Sequence, residues 1–520
     1  MAYDKLLRNC RIADGTGAPW FRGSIGICDG QIESVIKRET AELEAAETVN
    51  VNGLVVSPGF IDLHSHSDLR LFAESELFAK TMQGVTTEIL GQDGFSMAPM
   101  YQKDGVKEWE DHLSGINGRP EQEWSWEGVS EYLDAIETAE VAPNVGTLVG
   151  HGTVRYNIIG MDVRSPTDAE LQEMADLVTE ALEDGAVGFS TGLDYVPQLK
   201  ASTYELQTLA SRLSEYNRPF VAHIRNQSRD IWKALDEFVD IGQDEDIPLH
   251  LSHFKLMHAP QHGQAERAIG LIETARNRGV DITADQYPYT AGSTMLAADL
   301  PPWARVDGPQ DTIDHLRNNR PEIEDYLENE VKDWSKIVIT SVASEANQRY
   351  IGESIDAIAE DRAASPAETT VDLLIENRLE VGRICYFAAE EDVKQILKHE
   401  RTAVATDALL GGEPHPRTYG TYPRVLGKYA RNQNLFSFEE AIRMMTSLPA
   451  RIIGLNNKGL IRPGMDADLV AFDPHTVGSP ATYDDPRQFP DGMPHVLING
   501  EFVVRNHKHT KRTPGTVIRS

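Results

Sequence analysis

The chain has 520 residues, enough for one large catalytic domain and a smaller companion, and carries 81 acidic against 49 basic residues. Its net charge of −32 and pI near 4.9 argue against nucleic acid or an anionic membrane as a partner, and no apolar run reaches the roughly 18 residues of a membrane span. The N-terminus lacks an apolar signal core and the three cysteines lack CxxC spacing, so we expect a cytoplasmic protein without disulfides or a thiolate zinc site.

Both ends of the chain have the pattern of short β-strands. Residues 1–56 alternate apolar and polar positions between glycine turns, as in the stretch 23–32, GSIGICDGQI. Residues 456–520 are similar, with Asn499-Gly500 between two apolar strands as in a tight hairpin. We therefore predict that the two ends pair into one small β-sandwich beside the main domain.

The middle of the chain, residues 57–455, alternates strands with helices. A helix is predicted to begin within 165–168, to bury Leu171 and Val178 among others, and to end at Gly185, and a strand over 186–190 follows. Further apolar strands are predicted at 54–61, 220–223, 249–253, 280–287 and 403–407. This alternation predicts a parallel sheet in a TIM-type (β/α)8 barrel, with an acidic, helix-rich insertion at about 300–380 as a lid.

Polar residues stand where these apolar runs end. In such barrels the catalytic groups lie at the C-terminal ends of the strands, so these side chains should converge. Side chains two apart on a strand share a face, which directs His64 and His66 the same way. The strand-end residues are His64, His66, Asp93, His151, His223, His253 and Asp407. Each alone is more often structural, but together they predict a site for one or two divalent ions, with zinc suited to imidazole and carboxylate ligands.

Several segments of the chain resemble the amidohydrolase superfamily, and within it the N-acyl-D-amino-acid deacylases (D-aminoacylases). The resemblance runs over nearly the whole chain, and the motifs together are far more specific than His-x-His alone. It is carried by residues 59–68, 84–87, 150–155, 188–193, 223–226, 251–255, 287–294, 415–424, 446–450 and 464–469.

The resemblance implies a zinc site and its ligands. The metal ligands of the family fall on His64, His66, His223 and His253, and its catalytic aspartate falls on Asp407. One position departs from the family: its usual Gly-Asn-Cys-Gly-Phe-Ser, with a metal-binding cysteine, is here 91–96, GQDGFS. An aspartate is an oxygen donor that can bridge two cations, so we expect Asp93 to bridge the site. The alternative is that Asp93 has lost the ligand role and caps a loop.

Amide hydrolysis needs a base and groups that bind the substrate. We expect Asp407 to pass a proton from water to the leaving nitrogen, with His151 or a tyrosine helping to stabilise the oxyanion. Arg417 and Lys255 are candidate anchors for a carboxylate, and the alternative for each is a structural salt bridge. The resemblance adds the hydroxyls of Tyr287 and Ser293 to the same substrate group.

The predicted function is hydrolysis of the linear amide bond of an N-acyl-D-amino acid, a small-molecule substrate, with homo-oligomer formation left open. Two enzyme alternatives keep the chemistry: a dipeptidase for C-terminal D-residues, and a cyclic amidase of the hydantoinase or dihydroorotase type. The cyclic amidases commonly use a carboxylated lysine on the fourth strand, where residues 188–190 have none. A catalytically inactive binding scaffold would usually have lost ligands that this chain retains.

Overall fold

The computed structural model describes residues 2–37, 43–118, 122–305, 308–331 and 333–520. The strands are β1 (Tyr3–Ile12), β2 (Phe21–Cys28), β3 (Gln31–Ile36), β4 (Ala45–Asn50), β5 (Val55–Pro58), β6 (Phe60–Asp62), β7 (Val85–Leu90), β8 (Asn144–Thr147), β9 (Val149–Gly150), β10 (Phe189–Gly192), β11 (Phe220–His223), β12 (Leu249–Leu251), β13 (Ile282–Gln286), β14 (Ala291–Met295), β15 (Ile337–Val342), β16 (Val381–Tyr386), β17 (Thr402–Val404), β18 (Leu469–Phe472), β19 (His495–Ile498), β20 (Glu501–Arg505) and β21 (Lys508–His509).

Helices follow most of the central strands. They are α1 (Arg70–Ala73), α2 (Phe78–Thr81), α3 (Val106–Asn117), α4 (Val129–Ala139), α5 (His151–Ile159), α6 (Asp168–Glu183), α7 (Thr203–Ala210), α8 (Ile231–Glu245), α9 (Ala265–Asn277), α10 (Pro309–Asn318), α11 (Arg320–Glu330), α12 (Ile355–Arg362), α13 (Pro366–Glu376), α14 (Glu390–Leu397), α15 (Arg417–Arg424), α16 (Phe438–Met445) and α17 (Ser447–Ile453). In the described residues no helix is long and apolar enough to cross a membrane.

The two ends of the chain share one sheet, ordered β21-β20-β19-β18-β5-β1-β2-β3, with β4 also paired to β1. The contact between the ends is the antiparallel pair of β5 with β18, in which Pro58 faces Leu469 and Val55 faces Phe472. A separate apolar cluster, including Leu7, Ile27 and Leu497, is buried among these strands. The two ends of the chain therefore pair with each other, and the sandwich predicted for them stays a prediction.

The predicted single strand over 54–61 is instead two strands in different sheets. β5 ends at Pro58 and belongs to the terminal sheet, whereas β6 begins at Phe60 and pairs in parallel with β7. The break falls at Pro58-Gly59, because proline has no N–H for a ladder and the glycine lies against another chain segment. A Cβ on Gly59 would lie 2.1 Å from Thr86 Oγ1, so only glycine fits there.

The central strands form two parallel arcs, one of β6-β7-β8 and one of β9-β10-β11-β12-β13-β17. Leu148 joins β8 to β9, and its backbone N–H donates to the Leu90 carbonyl at 2.9 Å. On the other side, Ser65 and Ala408 form a parallel bridge just beyond β6 and β17. The fold is TIM-barrel-like with an extra domain.

Helix α6 matches its sequence pattern in where it begins and in which face it buries. Thr167 accepts a hydrogen bond on its hydroxyl from the Glu170 N–H, and the Glu170 carboxylate accepts one from the Thr167 N–H, which completes a capping box. The face predicted to be apolar, including Leu171 and Val178, is buried. Helix α6 packs this face inward. The strand that follows it, β10, pairs in parallel with β9 and β11.

The insertion is longer than predicted. Its antiparallel sheet, ordered β14-β16-β15, begins at Ala291 and ends at Tyr386, and α10 to α13 lie between β14 and β16. Residues 306, 307 and 332 of the predicted lid lie outside the described residues. The start at Ala291 was missed because this short strand follows β13 after one turn. Ser293 on β14 and Arg383 on β16 line the cavity at the strand ends.

Candidate metal centre

The ends of five strands bring histidines and aspartates together around one cavity. His64 and His66 follow β6 rather than continuing it, and their ring centroids are 5.3 Å apart. His223 is the last residue of β11, and its ring centroid lies 4.6 Å from that of His253, which follows β12. Asp93, after β7, and Asp407, after β17, complete the cluster. The parallel strands all end at the same rim, so residues far apart in sequence meet there.

The two carboxylate oxygens of Asp93 face different pairs of histidines. Asp93 Oδ2 lies 3.6 Å from His64 Nε2 and 3.7 Å from His66 Nε2. Asp93 Oδ1 lies 3.5 Å from His253 Nε2 and 3.8 Å from His223 Nδ1. Ligand atoms around tetrahedral zinc lie about 3.3–3.6 Å apart, given bonds of about 2.0–2.2 Å. Each side of Asp93 therefore has spacing close to that of one ion, with the carboxylate between them.

Asp407 lies beside the first of these pairs. Its Oδ1 is 3.4 Å from His66 Nε2 and 3.7 Å from His64 Nε2, and its Oδ2 is 2.9 Å from Arg417 Nη1. One oxygen thus faces the histidines and the other is held by a buried guanidinium. This orientation points Asp407 toward the position of an ion and of any water beside it.

Three ligand atoms in this cluster have no hydrogen-bond partner among the described residues: His64 Nε2, His223 Nδ1 and Asp93 Oδ1. All three side chains are buried, and a buried polar atom without a partner costs about 1–3 kcal/mol. A cation would satisfy these atoms together, and imidazole nitrogen with carboxylate oxygen is a donor set that zinc accepts. The residues present therefore fit one or two zinc ions.

The electrostatics of the cluster suit a cation. Burial raises the pKa of Asp93, but the facing His64 and His253 outweigh it, so this pKa lies well below its ordinary value. Burial also raises the pKa of Asp407, and Arg417 with His64 reverses the shift. Burial lowers the pKa of His223 and of His253, which favours the neutral ring that a metal requires. These directions favour ionised carboxylates and neutral rings at His223 and His253.

Three of the converging residues have left-handed backbone. The φ angles are 55° for Asp93, 34° for His253 and 49° for Asp407, a region that non-glycine residues rarely adopt. The loop at Asp93 is fixed from several directions: Gln198 Nε2 donates to the Asp93 carbonyl at 2.8 Å, and the Gly94 N–H donates to Ser190 Oγ at 3.0 Å. Strained backbone held by its surroundings is typical of a functional site.

A sequence model described as the Amidohydrolase family matches residues 47–504. The chain belongs to the amidohydrolase family. This amidohydrolase is 34% identical over 517 residues to a D-aminoacylase of Alcaligenes xylosoxydans xylosoxydans, which covers 99% of this chain and 97% of the relative. The family predicted from the motifs is thereby confirmed.

Solved structures of deacylases match this amidohydrolase over its full length. The N-acyl-D-glutamate deacylase of Bordetella bronchiseptica, solved with zinc and a phosphonate mimic of the tetrahedral intermediate, matches this amidohydrolase with a TM-score of 0.86 at 32% identity. A D-aminoacylase structure, solved to study the role of the binuclear metal centre of that enzyme, matches this amidohydrolase with a TM-score of 0.85 at 31% identity. Each match covers 100% of both chains.

The predicted carboxylate anchors of this amidohydrolase line the same cavity as the metal cluster. Lys255, Tyr287, Ser293 and Arg417 all contribute to its wall. Lys255 Nζ lies over the Tyr287 ring, 5.7 Å from its centroid, and donates to the His253 carbonyl at 3.3 Å. Burial lowers the pKa of Lys255 to about 8. Arg417 donates to the Ser293 carbonyl at 3.1 Å, so Ser293 contacts it through the backbone.

The structure does not bring His151 to this cavity. His151 begins helix α5 instead of ending a strand, and its Nδ1 lies 2.9 Å from Thr191 Oγ1. Its Nε2 lies 2.9 Å from Glu205 Oε1, and Glu205 is also paired with Arg155. Both ring nitrogens are therefore occupied within the protein, and we do not propose the predicted oxyanion role for His151. The expectation failed because a strand-end position alone does not tell which way the next residue turns.

Two supporting residues of the site were missed from the sequence. Asp285, at the end of β13, accepts from the His253 N–H at 2.8 Å, and its Oδ2 lies 3.7 Å from His64 Nδ1. Its Oδ2 also lies 2.9 Å from His250 Nε2, so His250 is a structural partner. The strand-end rule that identified His223 would have identified Asp285. Lys80, described below, gave no such signal.

Proposed function

We propose that this amidohydrolase is a zinc-dependent deacylase of N-acyl-D-amino acids. One observation carries the proposal: the His/Asp cluster and two buried cations, Lys255 and Arg417, line a single cavity. An N-acyl amino acid has an amide to be hydrolysed and a carboxylate to be bound, a short distance apart. The names of the relatives, D-aminoacylase and N-acyl-D-glutamate deacylase, support this substrate class.

The chemistry assigns a task to each group. When bound, a divalent ion supplies Lewis acidity, which polarises the amide carbonyl and acidifies water. Asp407 accepts the proton of the attacking water on Oδ1, since Oδ2 is held by Arg417, and then donates it to the departing nitrogen. Asp407 thus ends the cycle as it began, ionised beside the guanidinium.

The carboxylate of the substrate is held by fixed donors. Lys255 and Arg417 supply the positive charge, and the hydroxyls of Tyr287 and Ser293 supply neutral donors. Burial of Lys255, Tyr287 and Arg417 in the cavity wall strengthens the electrostatic attraction relative to water. This pocket fixes where the α-carbon sits relative to the metal cluster.

A cyclic amidase is disfavoured by the bridging position. In this chain Asp93 lies between the two histidine pairs, where those enzymes place a carboxylated lysine, and β10 contains no lysine. A dipeptidase for C-terminal D-residues needs the same amide and carboxylate sites, so it stays an alternative within the same chemistry. The acyl group decides between them: a simple acyl for a deacylase, an aminoacyl for a dipeptidase.

Chirality is the first test. We expect N-acetyl-D-amino acids to be hydrolysed at least about 100-fold more efficiently in kcat/KM than their L forms, because the metal cluster and the carboxylate anchors fix two substituents of the α-carbon and the cavity wall then admits the side chain on one side only. The measurement is amine release across a panel of N-acetyl and N-formyl amino acids in both configurations. Equal turnover of D and L forms would reject the proposed specificity.

Replacing Lys255 with methionine tests the carboxylate pocket. The variant should raise KM by about 10- to 100-fold for an N-acetyl-D-amino acid, the value of one charge-assisted hydrogen bond of about 1.5–3 kcal/mol. The matched control is the same substrate as its primary amide, for which parent and variant should differ little. An equal rise in KM for both compounds, with bound zinc unchanged, would show that Lys255 does not contact the carboxylate.

The finer architecture is also part of the proposal. We propose that the parallel strands close into a (β/α)8 barrel over about 57–455, since Ser65 bridges Ala408 and the Asp407 N–H donates to the His64 carbonyl at 2.9 Å. The terminal segments, 1–56 and 456–520, would then form a β-sandwich around their own apolar cluster.

A further inference from the structure

A lysine is completely buried beneath the metal centre. Lys80, on α2, has no solvent exposure, and its Nζ donates to Asp62 Oδ2 at 2.6 Å, Ser65 Oγ at 2.9 Å and Thr406 Oγ1 at 2.9 Å. Glu88 Oε1 lies 3.1 Å from the same nitrogen. These five residues are called the Lys80 cluster. None of them lines the catalytic cavity, and the mechanism above does not use them.

The charges of the Lys80 cluster are paired at a cost. Lys80, Asp62 and Glu88 all have fully buried side chains, and taking such charges out of water costs several kcal/mol per ion. Burial lowers the pKa of Lys80, but the two carboxylates outweigh it, so the ammonium keeps its charge. An apolar filling of the same volume would often serve stability equally well. The ions therefore call for a role other than stability.

The contacts of the Lys80 cluster reach both loops that carry His64, His66 and Asp407. Ser65 stands between His64 and His66 in sequence, and Thr406 directly precedes Asp407. Lys80 thus bonds the side chains of two residues that are sequence neighbours of three converging groups.

Asp62 strengthens the same connection. Its Oδ1 accepts from the Thr406 N–H at 2.9 Å, and its Oδ2 accepts from the Thr406 hydroxyl at 2.6 Å. The hydroxyl of Ser65 lies 2.9 Å from that of Ser67, which extends the network past His66. The loops after β6 and β17 are therefore cross-linked by side chains as well as by the Ser65–Ala408 bridge.

A second link between the same strands is made by the neutral hydroxyl of Tyr422. The Tyr422 hydroxyl lies 3.1 Å from the Ile61 carbonyl and 3.4 Å from the Val404 carbonyl, so it also joins β6 to β17. Tyr422 stacks on Phe60 with ring centroids 5.1 Å apart and is fully buried. Its hydroxyl bonds residues within the two strands, which precede His64, His66 and Asp407 in the sequence. Tyr422 therefore offers a matched comparison for Lys80.

We propose that Lys80 is a positioning residue for the metal centre: it holds Ser65 and Thr406 so that His64, His66 and Asp407 keep their ligand geometry before zinc binds. This inference rests on the proposed zinc centre and goes beyond it by assigning the preorganisation to an ionic cluster outside the cavity. Residues that orient metal ligands typically change metal affinity or activity by about 10- to 100-fold when replaced. A residue that only stabilises the fold would change neither.

The test compares Lys80→Met with Tyr422→Phe. For each purified protein, zinc is removed and the zinc Kd is measured by chelator competition, followed by kcat and KM at saturating zinc and the Tm of the zinc-free form. Lys80→Met should weaken zinc binding about 10- to 100-fold and lower kcat about 100-fold, with KM within about threefold of the parent. Tyr422→Phe should lower Tm while zinc Kd and kcat stay within about threefold of the parent.

A second variant covers the case in which Lys80→Met does not fold. Lys80→Met/Glu88→Gln removes one positive and one negative charge together, so the formal charge of the cluster is unchanged while the donors to Ser65 and Thr406 are lost. It should show the same losses in zinc affinity and kcat. Parent-like zinc Kd and kcat in either folded variant would overturn the proposal. Failure of the parent itself to bind zinc would instead overturn the metal centre.

Discussion

Replacing Asp407 with asparagine is expected to remove nearly all turnover while zinc stays bound. Asparagine keeps the size of the side chain but cannot accept a proton, and a positioned general base contributes about 10²- to 10⁴-fold to the rate. We therefore expect kcat to fall by at least about 1000-fold with the metal content unchanged. The measurements are steady-state kinetics on an N-acetyl-D-amino acid and metal analysis of the same preparation.

The loss of turnover should be specific to Asp407 and should not follow from the removal of another carboxylate of the cavity. Asp194 also lines the wall and is paired with Arg305 at 3.2 Å, away from the histidines, so Asp194→Asn is the matched control. We expect it to keep kcat within about tenfold of the parent. Activity of Asp407→Asn within about tenfold of the parent would show that another group moves the proton.

The convergence of these histidines and aspartates could be predicted because one simple rule governs it. A parallel sheet places the ends of its strands at one rim, and the sequence marks these ends by a switch from apolar residues to histidine or aspartate, as at His223 and Asp407. Spacing along the chain is irrelevant to this rule. The same rule applies to Asp285, which was overlooked only because it stands one residue before the end of its strand.

Lys80 shows what such a rule leaves out. In the sequence Phe-Ala-Lys-Thr of α2 a lysine reads as a solvent-exposed helix residue, and its complete burial depends on Asp62 and Glu88 from two other segments. The break at Pro58 in the strand predicted over 54–61 also depends on the pairing of β5 with β18 in the terminal sheet, which the local pattern does not show. Pairings that arise only in three dimensions leave no mark on the pattern of one segment.

The metal-bridging role expected for Asp93 is supported by its two-sided geometry, and substitution can test it. In Asp93→Asn the oxygen can still contact one histidine pair, but the amide NH₂ turns a donor toward the other, where a cation would be repelled. We expect bound zinc to decrease, zinc affinity to fall at least about 10-fold and kcat to fall at least about 100-fold. Metal titration with elemental analysis gives the stoichiometry, and kinetics at each zinc level give the activity.

Asp93→Cys is the informative partner, because it restores the residue type usual in the resembling family. A thiolate is a strong zinc ligand, so this variant should keep at least one ion tightly bound, unlike Asp93→Asn. If Asp93 only capped a loop, the left-handed backbone at φ 55° and the Gln198 contact would remain in both variants, and both would bind zinc like the parent. Tighter zinc binding by Asp93→Cys than by Asp93→Asn would show that the side chain at this position binds metal, since asparagine tolerates the left-handed backbone better than cysteine and a purely structural role would favour asparagine.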